Sequence, residues 1–252
     1  MNLLERFDSK LLLPLQESVS GKLDWFDQDS QKLYEKNLKI QSKSWYYRDK
    51  VVEYNINTAG YRTKEFNCIN WSKSIVIFGC SMVFGVGNAE EDTISGQLEK
   101  ITGIPTVNLG SPGASSSYSV HNSLLLKEYY PEPKYIVNIW TSPYRRTYYT
   151  NDSIINCGSW NAEKEKFGYY WSKNIHNARL NLKFDYMTSK NLWKNYCDIT
   201  LFSVTSEILN CEYVKTIDLA RDLMKSDKNF IGHPGKETNK IVAQRIANLL
   251  RL

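Results

Sequence analysis

The chain has no apolar run near the roughly 20 residues that a helix needs to cross a bilayer, so no membrane span is expected. Cysteine is sparse and unpatterned. The five residues, at 68, 80, 157, 197 and 211, form no C-x-x-C pair. An odd, scattered set argues against a disulfide framework and suits reduced thiols in a cytoplasmic protein. The opening residues lack a basic stretch, a long apolar segment and a cleavage site, so no secretory signal is expected. Internal repeats and low-complexity tracts are missing. Charge of one sign does not dominate: 32 Lys and Arg against 27 Asp and Glu leave a net +5 spread along the chain. That balance gives no argument for a nucleic-acid partner. Histidine is the scarcest chemical resource. His121, His176 and His233 are the only three, so any imidazole chemistry is confined to them.

The 252 residues suffice for one sizeable α/β domain or two small ones. Residues 1–70 read as an N-terminal extension that packs on a main domain, 71–252. The extension has a short amphipathic helix over 3–15, extended segments at Trp45–Tyr47 and Val51–Tyr54, and a turn at 57–62. From Ser74 the pattern alternates strand, loop and helix. Strands are expected at 74–78, 106–109, 135–140, 199–204 and 213–217. Helices are expected from a cap at Asp92 to about Ile101, over 116–130, and over 237–250. Short apolar strands separated by helices imply a parallel sheet covered on both faces. Residues 141–195 form a polar, aromatic-rich insertion with helical pieces such as 171–182. It crowds Tyr144, Tyr148, Tyr149, Trp160, Tyr169, Tyr170 and Trp171 into a polar stretch, where aromatic faces either stack on sugars or pack over the sheet.

One stretch carries chemistry. The apolar run Ile75-Val76-Ile77-Phe78 stops in Gly79-Cys80-Ser81, with Gly85 and Gly87 close behind. A parallel strand that ends in a small-residue turn puts a side chain at the sheet's C-terminal edge, where open α/β sheets hold their sites. Ser81 is the candidate nucleophile. A serine hydroxyl needs a base. His233, followed by Pro234-Gly235 and the last helix, is the histidine that topology brings to that edge. The imidazole in turn needs an acceptor for its second N–H. Asp227 and Asp222 are the candidates, with Asp227 favoured for its closeness in sequence. Oxyanion donors are expected from the Ser81 backbone, from Gly110 at the end of the second strand, and from Thr141 or Ser142 at the end of the third. Residue 83 is Val, so the Gly-x-Ser-x-Gly elbow is excluded. Gly85-Val86-Gly87 lacks the third glycine of a dinucleotide site, and the Lys-Ser/Thr of a phosphate loop is missing. No cofactor is expected, and no spacing points to a metal. Cys80 beside Ser81 is the alternative nucleophile.

Gly79-Cys80-Ser81-Met82-Val83-Phe84-Gly85 resembles the first conserved block of the SGNH/GDSL hydrolases, in a Gly-Cys-Ser variant. Asn108-Leu109-Gly110-Ser111-Pro112-Gly113-Ala114-Ser115 resembles the second block, and His233-Pro234-Gly235 the last. The resemblance spans roughly 73–252. It implies a three-layer α/β/α sandwich with a five-stranded parallel sheet, of flavodoxin-like type. It also implies an esterase or deacetylase acting on an acyl ester, of a small molecule or a carbohydrate, through Ser81 and His233. Two departures stand out. The Gly-x-Asn-Asp of the third block is replaced by Trp140-Thr141-Ser142-Pro143. The usual aspartate three residues before the histidine is Phe230. An acyltransferase on the same scaffold and a non-catalytic binding or structural relative are the alternatives.

Overall fold

The computed structural model describes residues 19–149, 154–158, 174–225 and 230–252. The helix expected over 3–15 lies outside them. In the extension, β1 (Gly21–Leu23), α1 (Gln31–Ile40) and β2 (Tyr54–Ile56) precede the main sheet, and β1 pairs antiparallel with β2. Ser30 caps α1 by accepting from the Leu33 N–H. That helix was not anticipated, and where Trp45–Tyr47 was expected to be extended, Tyr46–Arg48 forms a 3-10 turn. Gly60, with φ +80°, closes the turn expected at 57–62.

The main domain runs β3 (Ile75–Gly79), α2 (Ser81–Phe84), α3 (Ile94–Thr102), β4 (Thr106–Gly110), α4 (Ser116–Tyr129) and β5 (Tyr135–Trp140). The insertion follows as the hairpin β6 (Arg146–Tyr149) and β7 (Ile154–Cys157), then α5 (Ile175–Leu192). The chain continues through β8 (Tyr196–Thr200), α6 (Ser203–Leu209), β9 (Glu212–Tyr213), β10 (Met224–Lys225), β11 (Phe230–Ile231) and α7 (Lys236–Leu250). Five strands form one parallel sheet in the order β4-β3-β5-β8-β9.

Strand periodicity explains the layers. Val76 and Phe78 pack with Tyr118 and Leu126 of α4, whereas Ile75 and Ile77 pack with Leu98 of α3 and Val242 and Ile246 of α7. Successive side chains of β3 thus supply opposite faces, and the sheet is buried on both, as α/β sandwiches require.

Three boundaries differ from the sequence reading. α3 is capped by Thr93, whose hydroxyl accepts from the Gly96 N–H, while Asp92 accepts from the Tyr46 hydroxyl. The fourth strand lies earlier than 199–204 because Thr200 turns the chain, donating to the Trp140 carbonyl and accepting from the Phe202 N–H. The fifth strand is only Glu212–Tyr213.

The extension is welded to the domain. Phe26 stacks on Phe84 at 4.7 Å between ring centroids, within a cluster that includes Tyr54, Val86 and Ala220. Arg62, 4 % exposed, donates to the carbonyls of Phe84, Gly85, Glu53 and Asn88, and lies 4.5 Å from the Tyr54 ring centroid. It caps the C-terminal carbonyls of α2, where positive charge is favourable. α2 also presses on β4: a Cβ at Gly110 would fall 2.5 Å from Phe84 N and 2.7 Å from Val83 Cβ. Gly110→Ala should therefore cost about 1–3 kcal/mol of stability by overpacking, read as a lower denaturant midpoint.

Candidate active site

The end of β3 is tight. A Cβ at Gly79 would sit 2.4 Å from Val83 Cγ2, so only glycine lets the chain pass straight from strand to helix. Ser81 becomes the first residue of α2, 5 % exposed. Cys80 is buried in the core with Phe78 and Leu109. Burial pushes its thiol up, yet the Arg145 guanidinium, the Thr141 hydroxyl, the Met82 N–H and His233 hold it below the ordinary thiol range.

His233 arrives from the far end of the chain. Leu219 bridges Pro234, and Ala220 N–H donates to the His233 carbonyl at 2.9 Å. Beyond that bridge, β10 and β11 pair antiparallel, Met224 opposite Ile231. Asp222 and His233 therefore face each other at the base of a hairpin. The Asp222 carboxylate, fully buried, accepts from His233 Nδ1 at 2.5 Å and from the His233 backbone N–H at 3.3 Å. Burial lowers the imidazole's proton affinity. The hydrogen bond and charge of Asp222, helped by Cys80 and Asp27, overcome it and lift the pKa above 6.5. Asp227, favoured on proximity, lies outside the described residues, and the described carboxylate that meets the imidazole is Asp222. Asp218 serves elsewhere: its carboxylate accepts from the N–H groups of Glu237 and Thr238 at the start of α7.

Ser81 and His233 line one cavity of about 570 Å³ at the C-terminal edge of the sheet. Phe26, Ile56, Met82, Phe202 and Ile231 give it apolar walls, and Asp27 and Arg145 add charge. Asp27 holds φ +57° at the tip of the Phe26–Asp29 turn. Lost hydration there raises its carboxyl above the ordinary range, despite His233 and Arg145.

The expected oxyanion donors divide. Ser81 lines the cavity, but Gly110 does not: its N–H donates to Asn108 Oδ1 at 3.0 Å, and α2 covers it. Gly113, three residues on and at φ +73°, lines the cavity instead. Thr141 is buried beneath it, with its carbonyl accepting from the Thr205 hydroxyl. Ser142 accepts from the Tyr144 N–H. Neither is among the lining residues, whereas Arg145 of the same turn is. His121 meets the Tyr149 hydroxyl and His176 is exposed on α5, both away from the cavity. Trp160, Tyr169, Tyr170 and Trp171 lie outside the described residues, and Tyr144, Tyr148 and Tyr149 do not line the cavity.

Sequence reading missed Asp27, Gly113 and Arg145. Asp27 had no local signal, because a turn some fifty residues before Ser81 reaches the site only through tertiary packing. Gly113 had one: the second glycine of Gly110-Ser111-Pro112-Gly113 ends the same turn. Among the described residues no cluster of His, Cys, Asp and Glu is arranged to hold a metal ion, and no helix is long and apolar enough to cross a membrane.

No protein-family model matches the chain, and no curated protein matches it in sequence. Solved structures do resemble it. The structure of a putative lipolytic protein of the G-D-S-L family from Desulfitobacterium hafniense is 14% identical, with a TM-score of 0.40, covering 70% of this chain and 99% of its own. A member of the lipolytic G-D-S-L family from Veillonella parvula is 12% identical, with a TM-score of 0.41, over 70% of this chain and 97% of its own. A catalytic mutant of an acetylxylan esterase from Geobacillus stearothermophilus is 13% identical, with a TM-score of 0.44, over 73% and 96%.

Proposed function

We propose that the protein is a serine esterase of SGNH/GDSL type that hydrolyses a carboxylic ester. The observation that carries this reading is the buried Asp222–His233 pair at the rim of the cavity that Ser81 also lines. In this reading Ser81 Oγ attacks the ester carbonyl and His233 Nε2 takes its proton. Asp222 keeps Nδ1 protonated and stabilises the imidazolium. The charge developing on the carbonyl oxygen is met by the backbone N–H groups of Ser81 and Gly113, with the Arg145 guanidinium adding positive field. Expulsion of the alcohol takes the proton back from His233 and leaves an acyl-Ser81 ester. Water, deprotonated by His233, then releases the acid.

The apolar wall of Phe26, Ile56, Met82, Phe202 and Ile231 favours an ester with a hydrophobic acyl or alkyl portion. A carbohydrate ester is the narrower expectation, and no described aromatic of the insertion lines the cavity to stack a sugar ring. The test combines a fluorophosphonate probe with chromogenic esters of graded acyl length. Expected are a single adduct that maps to Ser81 and turnover that rises from acetyl to medium chains. Labelling elsewhere, or no hydrolysis of any ester, overturns the reading.

A further inference from the structure

We infer that the N-terminal extension is part of the catalytic apparatus, with Asn37, Asp29 and Tyr54 acting as positioning residues for Asp222. This rests on the proposed reading of Asp222 as the orienting carboxylate.

Three contacts converge on the backbone that carries Asp222. Asn37, 1 % exposed in the last turns of α1, donates through Nδ2 to the carbonyls of Arg221 at 3.1 Å and Leu223 at 2.8 Å. These are the two residues that flank Asp222, so one amide pins the chain on both sides of it. Asp29 accepts from Arg221 Nε at 3.0 Å and Nη2 at 2.6 Å, a buried bidentate pair. The same guanidinium donates to the Asp24 carbonyl and lies 4.1 Å from the Trp25 ring centroid. The Tyr54 hydroxyl donates to Asp29 Oδ2 at 2.5 Å and accepts from the Gly87 N–H at 2.8 Å. Gly87 in turn accepts from the Arg221 N–H, and a Cβ on it would stand 2.8 Å from Asp222 Oδ1. The carboxylate thus sits against a glycine whose place is set by a tyrosine of the extension.

Loose support at this point would let Asp222 drift from His233 Nδ1, and small misplacements around a reacting pair cost activity. The charged and titratable groups that act on His233 are Asp222, Cys80 and Asp27, with Arg145 facing the last two. Of these, only Asp222 is held by the three contacts.

The experiment compares wild type, Tyr54→Phe and Asn37→Ala in the full chain, with Leu98→Ala in the distant core as a control for lost stability. The decisive readout is the NMR titration of the His233 ring, assigned by its absence in His233→Gln. Tyr54→Phe keeps the ring and removes only the hydroxyl, so it remains informative if Asn37→Ala does not fold. The His233 midpoint is expected to fall toward 6.5 in both extension variants and to stay in place in Leu98→Ala. Alongside, kcat on a chromogenic ester should drop by about 10- to 100-fold with little change in KM. An unchanged His233 midpoint in Tyr54→Phe overturns the inference, whatever happens to melting temperature. If wild type hydrolyses no ester, the proposed activity fails, but the titration still decides whether the extension positions Asp222.

Discussion

Ser81→Ala is expected to lower ester hydrolysis by roughly 10⁴-fold or more, because the covalent route disappears and only binding and oxyanion donors remain. Stability should barely move. Ser81 is the first residue of α2, and its N-cap position is filled by Cys80. His233→Ala should fall to a similar floor, and the double variant should fall no further, since the two groups act as one unit. Matched steady-state kinetics on the three variants, with circular dichroism to verify folding, read this directly. Wild-type turnover in Ser81→Ala would remove Ser81 from the mechanism. Additive losses in the double variant would mean that Ser81 and His233 do not share a proton.

Asp222→Asn is expected to cost on the order of 10⁴-fold in kcat, the scale seen when the orienting carboxylate of a triad becomes an amide. Its pH dependence carries a definite sign. His233 acts as a base only when neutral, so wild-type activity should rise with pH through a midpoint above 6.5. The Asn side chain removes the charge and hydrogen bond that lift this pKa, leaving burial to lower it, so the variant's acid limb should move down. Stability follows by linkage. A histidine whose pKa is raised on folding adds stability below its unfolded pKa, and that stability is lost as pH rises through the folded value. The gap between wild type and Asp222→Asn should therefore widen on acidification through the wild-type His233 midpoint and level off only below the variant's own midpoint, which burial places under 6.5. A larger loss in Asp227→Asn than in Asp222→Asn would move the orienting role to Asp227.

Much of the main sheet was legible because three of its strands are short, mostly apolar segments bounded by turn residues. Ile75–Gly79, Thr106–Gly110 and Tyr135–Trp140 lie within a residue of their expected bounds. The last two strands were harder. β8 begins Tyr196-Cys197-Asp198, and an aspartate inside a strand breaks the hydrophobic pattern that periodicity relies on. β9 has two exposed residues and no pattern at all. In α1 the one fully buried side chain is the polar Asn37, whose partners lie far away in sequence, so periodicity gave no sign of the helix. Ser81 and His233 were readable as positions at one sheet edge. The partner of His233 was narrowed to Asp222 and Asp227 but could not be ranked, because closeness in sequence says nothing about a hairpin that sets Asp222 opposite His233 across eleven residues. Gly110 lies away from the cavity for a similar reason. A free-looking glycine N–H at the end of β4 is consumed by the Asn108 side chain two residues back.

The span of the Asn37 clamp has a consequence for synthesis. Its donor and acceptors are 184 and 186 residues apart, and the Asp29–Arg221 pair spans 192. During synthesis Phe26 and Tyr54 can pack on Phe84 early, whereas Asn37 and Asp29 must wait for residues 221–223. Closure of so long a loop is a late event. The backbone that carries Asp222 is pinned only in that last step.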